Sequence, residues 1–100
     1  MKLGILVRSD SYLEHLVGLT RAAAGRGHEV TLFSTDYGVK LLENPDYVAL
    51  SGLDGVAMSA CEHSVQTHRV STDGLPKAIV RGSQYDNAAM TQWADKVVVL

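Results

Sequence analysis

The chain has few cysteines and few basic residues, two features that define whole classes of protein. It contains one cysteine, Cys61, and 9 lysine and arginine residues in a length of 100, with a formal net charge of -2. A single thiol forms no internal disulfide and suits a reducing compartment, so we expect a cytoplasmic protein. The basic residues form no cluster, which argues against nucleic acid as a partner.

Long apolar runs are missing as well. The longest, such as residues 97–100, fall far short of the roughly 20 residues that cross a bilayer, and no apolar signal core follows Met1. We therefore expect no membrane partner.

The sequence also lacks the patterns of common cofactor sites. No glycine lies between Val7 and Ser11, where a phosphate-binding loop would follow the first predicted strand. His63 and His68 are five residues apart, a spacing that does not align two imidazoles on a helix. We therefore expect no nucleotide cofactor and no metal ion.

What the sequence does have is a regular alternation of strands and helices. It is 46% hydrophobic and 20% charged, which is typical of one globular domain, here residues 1–100. Apolar and β-branched runs predict strands at residues 2–7, 29–34, 56–60, 78–80 and 96–100. Helices are predicted between them, at about residues 11–26, 36–42, 44–52, 62–69 and 83–94.

Two helix starts have the spacing of a capping box, in which a serine accepts from a free N–H and an acid three residues later returns the bond. Ser11 with Glu14 has this spacing in the first helix, and Ser83 with Asp86 has it in the last. Gly27 is predicted to end the first helix in a left-handed conformation. These signals place the two longest helices directly after strands.

The alternation predicts an α/β fold, a three-layer sandwich whose five-stranded parallel sheet is covered by helices on both faces. We expect the flavodoxin-like strand order 2-1-3-4-5. Right-handed crossovers then place the first helix alone on one face, which leaves strands three to five bare on that face. Because residues 78–80 and 97–100 offer no polar face to water, we predict a homo-oligomer, a dimer, trimer or hexamer.

The strongest chemical candidate is Cys61, at the carboxyl end of the third predicted strand, the edge where chemistry gathers in open α/β sheets. A helix beginning there would stabilise the thiolate and lower the pKa of the thiol, and His63 is a second catalytic candidate that could assist it. Glu62 acts in the opposite direction, because a neighbouring carboxylate disfavours a second negative charge. The alternative is a buried, inert cysteine.

Polar residues that follow other strands are candidate binding groups. Asp10 follows the first strand, and Ser83, Gln84 and Tyr85 open the last helix, where an anion or the sulfur-bearing end of a partner could bind. Helix capping is the alternative explanation for these residues.

Several stretches together resemble the DsrE/DsrF-like family. They are the segment GVAMSAC at residues 55–61, GLP at 74–76 ahead of the fourth strand, the closing ADKVVVL at 94–100, and an opening strand-helix pair that ends in GHEV at 27–30. The resemblance spans nearly the whole chain. It implies a small five-stranded α/β fold, oligomers built from dimers or trimers and, in the sulfur-relay members, a cysteine that carries persulfide sulfur between proteins.

Only Cys61 matches that carrier position, whereas Asp10, Gln84 and Tyr85 are candidates from topology alone. Our first hypothesis is a DsrE-like protein in which Cys61 accepts sulfur from a donor protein and passes it to an acceptor protein. The second is a non-catalytic oligomeric binding module that uses the same strand-end cleft for a small anionic ligand or a protein partner.

Overall fold

The computed structural model describes residues 1–100 as one parallel five-stranded sheet with helices on both faces. This confirms the predicted α/β sandwich. The strands lie in the order β4-β3-β2-β1-β5, with the bounds β1 Lys2–Val7, β2 Glu29–Ser34, β3 Val56–Cys61, β4 Ile79–Gly82 and β5 Lys96–Val99.

Four α-helices connect the strands, together with two 3-10 segments, Asp36–Glu43 and Ala49–Gly52. The helices are α1 Leu13–Gly25, α2 Pro45–Val48, α3 Glu62–Thr67 and α4 Gln84–Trp93. The predicted elements are therefore present, and most boundaries differ from the predicted ones by one or two residues. None of the helices combines the length and the apolar composition that a bilayer crossing requires.

The starts of the two longest helices differ from each other. Ser83 and Asp86 form the predicted capping box at α4. The box predicted at α1 is absent, because the helix begins one residue later than expected, after Tyr12, which makes no side-chain cap. The backbone N–H of Ser11 donates instead to the hydroxyl of Ser9, at 3.1 Å, which closes a tight local turn ahead of the helix.

The two faces of the sheet carry cores of different size, because successive side chains of a strand point to opposite faces. The larger core joins side chains of β1–β4 to α1, α2, α3 and the residues beside them, and it includes Ile5, Leu16, Leu32 and Tyr47. The smaller core lies under α4, where Met90 packs with Phe33 and Cys61. One face is thus covered by most of the connecting chain and the other by α4 alone.

The strand order differs from the predicted 2-1-3-4-5, because the neighbour of β3 is β2 rather than β1, and β5 lies beside β1 rather than beside β4. Burial explains the arrangement. Strand β2 carries buried apolar side chains on both faces, among them Leu32 and Phe33, and this favours a central position. The two four-residue strands, β4 and β5, form the edges, where short strands leave few backbone groups unpaired.

This order also changes which helix stands alone. The chain steps from β1 to β4 in one direction, and α4 then returns across the opposite face to place β5 beside β1. The bare surface therefore lies on the α4 face and not on the α1 face as expected. It flanks α4 on both sides, where Val80 of β4 is 52% exposed and Val99 of β5 is 57% exposed.

Candidate functional site

A cleft of about 550 Å³ opens at the carboxyl ends of β3 and β4. The connections that leave these neighbouring strands go to opposite faces of the sheet, α3 to one and α4 to the other, so the two helix starts diverge. Such a switch point is where open α/β sheets form their crevices. The cleft is lined by Thr35, Asp36, Cys61, Glu62, His63, Ser64, Gly82, Ser83, Gln84 and Tyr85.

Cys61 ends β3 and is the residue on which α3 begins. Its side chain points to the α4 face and is packed against Phe33 and Met90, so the residue is only 5% exposed while still lining the cleft. The predicted position of the thiol, at a strand end, a helix start and a crevice, is therefore observed.

The surroundings of Cys61 act on the pKa of its thiol in both directions. Burial raises the pKa of the thiol, but bonds from the backbone N–H and hydroxyl of Ser64, the side chain of Gln84 and the backbone N–H of His63 outweigh it. The net result is a pKa below the ordinary value for cysteine. Each of these donors bonds more strongly to a negative sulfur than to a neutral one.

The side chains of Gln84 and Ser64 belong to a small, partly buried hydrogen-bond network. The Gln84 amide nitrogen Nε2 donates to Thr35 Oγ1 at 3.1 Å, and Thr35 Oγ1 lies 3.3 Å from Ser64 Oγ. The backbone N–H of Asp36 also donates to Ser64 Oγ, at 3.0 Å. The ends of β2, β3 and β4 therefore meet in one set of hydrogen bonds beneath the cleft.

The carboxylate next to the thiol is held by a counter-charge. Arg81, one residue before Gly82 on β4, binds Glu62 through both guanidinium branches, with Nε at 2.6 Å from Oε2 and a terminal nitrogen at 2.5 Å from Oε1. The hydrogen bond from Arg81 lowers the pKa of Glu62. Because this charge is paired, Glu62 opposes the thiolate less than the sequence alone indicates.

Most of the residues predicted for the site come together in the cleft. His63, Ser83, Gln84 and Tyr85 line it, with Tyr85 78% exposed at the rim. The His63 side chain is exposed and makes no hydrogen bond to the thiol, which it contacts through its backbone N–H instead.

Asp10 is not among the lining residues. In the expected strand order, β1 would adjoin β3 and bring Asp10 beside Cys61, whereas in the observed order β2 separates the two strands. The end of β2 takes that place and contributes Thr35 and Asp36 to the cleft.

Sequence reasoning assigned no role to Ser64 or Arg81, and both act at the site. The third residue of a helix is where a free backbone N–H meets the capping position, so the spacing from Cys61 to Ser64 is a signal that was available. No comparable signal identifies Arg81, because its pairing with Glu62 depends on the register of β3 and β4.

Two other features bear on function. No three His, Cys, Asp or Glu side chains come close enough together to hold a metal ion. A second, mainly apolar hollow of about 370 Å³ lies beside α4 over β3 and β4, and its lining includes Ala57, Val80, Ala89, Met90 and Trp93.

The fold is shared with solved structures across their whole length. A protein of unknown function from Methanobacterium thermoautotrophicum, MTH1491, superposes with a TM-score of 0.75 and 19% identity, over 99% of this chain and 98% of that one. The conserved protein of unknown function BT1422 from Bacteroides thetaiotaomicron gives 0.78 and 15%, over 99% and 94%. The ychN protein of E. coli gives 0.68 and 18%, over all of both chains. No protein-family model and no curated protein matches the sequence.

Proposed function

We propose that this protein carries sulfur as a persulfide on Cys61, as an intracellular sulfur-transfer protein of the DsrE-like kind. The observation that carries the proposal is the place of Cys61 on the lining of an open cleft, at the end of β3 and the start of α3, beside hydrogen-bond donors of Ser64, Gln84 and His63 that lower the pKa of the thiol. A thiolate is the nucleophile in thiol and disulfide exchange, and an inert structural cysteine needs no such donors.

The transfer needs no oxidant or reductant besides the sulfur donor. The Cys61 thiolate attacks the outer sulfur of a donor persulfide, R–S–SH; a new sulfur–sulfur bond forms, the donor's sulfur–sulfur bond breaks, and R–S⁻ leaves with the electron pair. Attack by an acceptor thiolate on the outer sulfur of Cys61–S–SH then regenerates the Cys61 thiolate and leaves the acceptor as a persulfide. The donors around Cys61 stabilise the thiolate as the leaving group of this second step.

Two further considerations support this assignment. The sequence stretches that resemble the DsrE/DsrF-like family include the segment that ends in Cys61, and the shared fold is compatible with that resemblance. A persulfide is stable only where stray oxidation is limited, so the proposed location is the cytoplasm, with donor and acceptor proteins as partners.

Sulfur loading tests the proposal directly. After incubation of the 100-residue chain with a small-molecule persulfide, intact-mass spectrometry is expected to show the gain of one sulfur atom, which dithiothreitol then removes. Cys61→Ser is expected to abolish the gain completely, because Cys61 is the only thiol in the chain. Thr67→Ala, on an exposed side chain of α3 outside the cleft lining, is the control and should load like the wild type.

The opposite result would replace the proposal with its alternative. A protein that gains no sulfur, and whose thiol reacts with iodoacetamide only after unfolding, does not carry persulfide. The cleft would then serve as a binding site for a small anion or a protein partner, without chemistry at Cys61.

We also propose that the protein is a homo-oligomer assembled through the α4 face. Apolar side chains on both flanks of α4 are exposed, including Val80, Val97 and Val99, and α4 itself presents Ala88 and Ala89 to solvent. A sheet face with exposed apolar side chains of this kind is typical of an interface between subunits.

A charge introduced on the exposed apolar face tests the oligomer. Light scattering after gel filtration is expected to give a multiple of the 10.8 kDa chain for the wild type, and a smaller species for Val80→Glu or Val99→Glu. Leu19→Glu, which places the same charge on an exposed apolar residue of α1, should leave the mass unchanged. A wild-type protein that is monomeric at tens of micromolar would contradict the proposed interface.

A further inference from the structure

Each of the two acidic side chains on the lining of the cleft has an arginine partner. Asp36 and Glu62 line the cleft together with Cys61. Arg8, which follows β1, lies 3.5 Å from Asp36, and Arg81 of β4 binds Glu62. Neither arginine is a lining residue, so neighbouring strands supply the positive charges from outside the cleft. The formal charges of these four side chains sum to zero.

The two ion pairs differ in how firmly they are held. Arg81 places Nε at 2.6 Å and a terminal nitrogen at 2.5 Å from the two Glu62 oxygens, and its other terminal nitrogen donates to Thr72 Oγ1 at 3.3 Å. Arg8 makes one contact with Asp36, and the two side chains are 61% and 55% exposed. A bidentate pair has a fixed geometry, whereas a single long contact between exposed groups is screened by water. The carboxylate next to Cys61 is therefore the one that has a fixed counter-charge.

Sulfur transfer brings further negative charge to this wall of the cleft. In the proposed reaction, the negative charge of the Cys61 thiolate moves outward to the leaving group R–S⁻, and it returns when an acceptor thiolate removes the sulfur. An uncompensated carboxylate on Glu62 would repel an anion at either place. The pairing with Arg81 removes that repulsion.

We propose that Arg81 sets the charge selectivity of the cleft: by cancelling the charge of Glu62, it admits small anionic sulfur donors to Cys61. The donors of this class are persulfides that carry carboxylate groups and leave as thiolates. Arg81 contacts none of the reacting atoms and acts through Glu62, so it is a positioning residue. The inference rests on the proposed function, because it names the class of donor that the same site accepts.

Charged thiol reagents measure this selectivity without any sulfur donor. Sulfonatoethyl and trimethylammonioethyl methanethiosulfonate carry opposite charges, and each forms a mixed disulfide with the single thiol that intact-mass spectrometry detects. The measured quantity is the rate with the negative reagent divided by the rate with the positive one, for the 100-residue chain at low ionic strength. Arg81→Met is expected to lower this ratio about fivefold, the effect of one unit charge about 8 Å away in water. Arg81→Lys keeps the charge and should stay close to the wild type.

A cycle of charge variants separates cancellation from a disturbed fold. Glu62→Gln leaves Arg81 uncompensated and should raise the ratio, whereas Glu62→Gln combined with Arg81→Met should return it to the wild-type value. The two side chains are 47% and 29% exposed, so the pair adds little to the stability of the fold, and circular dichroism is expected to show each variant folded.

The outcomes distinguish the charge selectivity from the sulfur transfer on which it rests. A folded Arg81→Met protein with the wild-type ratio would overturn the role of Arg81, even if Cys61 still loads with sulfur. The expected ratios without sulfur loading would uphold the charge selectivity and contradict the proposed sulfur transfer. A wild-type thiol that reacts with neither reagent before unfolding would overturn both.

Discussion

Replacement of Gly38 by alanine is expected to lower the free energy of unfolding by about 3 kcal/mol or more, a large share of the 5–15 kcal/mol typical of a domain. Gly38 is buried in the 3-10 segment after β2, directly against the end of β1. A Cβ atom there would overlap the carbonyl group of Val7, which is backbone and accepts from the Thr35 N–H at 2.9 Å. Neither partner can move without disturbing the core.

Urea denaturation monitored by circular dichroism measures this loss. Gly18→Ala is the matched control, because Gly18 lies within α1 and an added Cβ meets no atom within 4 Å. That variant should be more stable than the wild type by roughly 0.5–1 kcal/mol, the helix preference of alanine over glycine. Equal stability of Gly38→Ala and the wild type would show that Gly38 does not pack against the Val7 carbonyl group at the end of β1 as described.

Gly82→Ala is expected to cost about 1–2 kcal/mol and to disturb the thiol at the same time. Gly82 pairs with Cys61 across β3 and β4, and a Cβ atom there would overlap the Asp86 carboxylate. That carboxylate accepts from the Ser83 N–H at 2.8 Å, so its displacement opens the capping box of α4. The first turn of α4, which carries Gln84, then loses its fixed position.

A double-mutant cycle checks this explanation. Asp86→Ala removes the carboxylate that the Cβ atom of Gly82→Ala would overlap. The two substitutions combined should therefore lower the free energy of unfolding little more than Asp86→Ala alone. Gly52→Ala, where a Cβ meets nothing within 4 Å, is the control for the change of residue type. Fully additive losses would mean that Gly82 acts through some contact other than Asp86.

Local signals in the sequence predicted the elements well. The apolar runs gave five strands close to their observed bounds, and Ser83 with Asp86 predicted the cap of α4. The order of the strands is a different kind of property, because it depends on which apolar strands occupy the central positions of the sheet. Phe33 and Leu32, on opposite faces of one strand, indicate a strand buried on both sides, and that signal favours the observed order.

The errors at the site follow from the strand order. Cys61, Ser83 and Gln84 were predicted together because they depend only on which residues end a strand and begin a helix. Asp10 was placed near them only through a neighbour relation between β1 and β3 that the sheet does not have. Which strand ends meet is a global property, whereas which residue ends a strand is a local one.

The hydrogen bonds between the strand ends beside Cys61 show a second limit of sequence reasoning. Thr35 and Ser64 are 29 residues apart and both are buried, and nothing in either segment indicates the other. Their contact arises because β2 and β3 are paired in a register that sets Ser34 opposite Ala60. Hydrogen bonds that depend on register in this way are found only once the sheet is assembled.

The position of β5 has a consequence for how the chain is made. Strand β1 is followed at once by its partner β2, but its other side pairs only with β5, at residues 96–99. Throughout synthesis of the intervening residues, one side of β1 therefore has a row of backbone groups with no partner, which is the kind of surface that recruits foreign strands. A ribosome that stalls before residue 96 would release a chain prone to aggregation, although four of its five strands are complete.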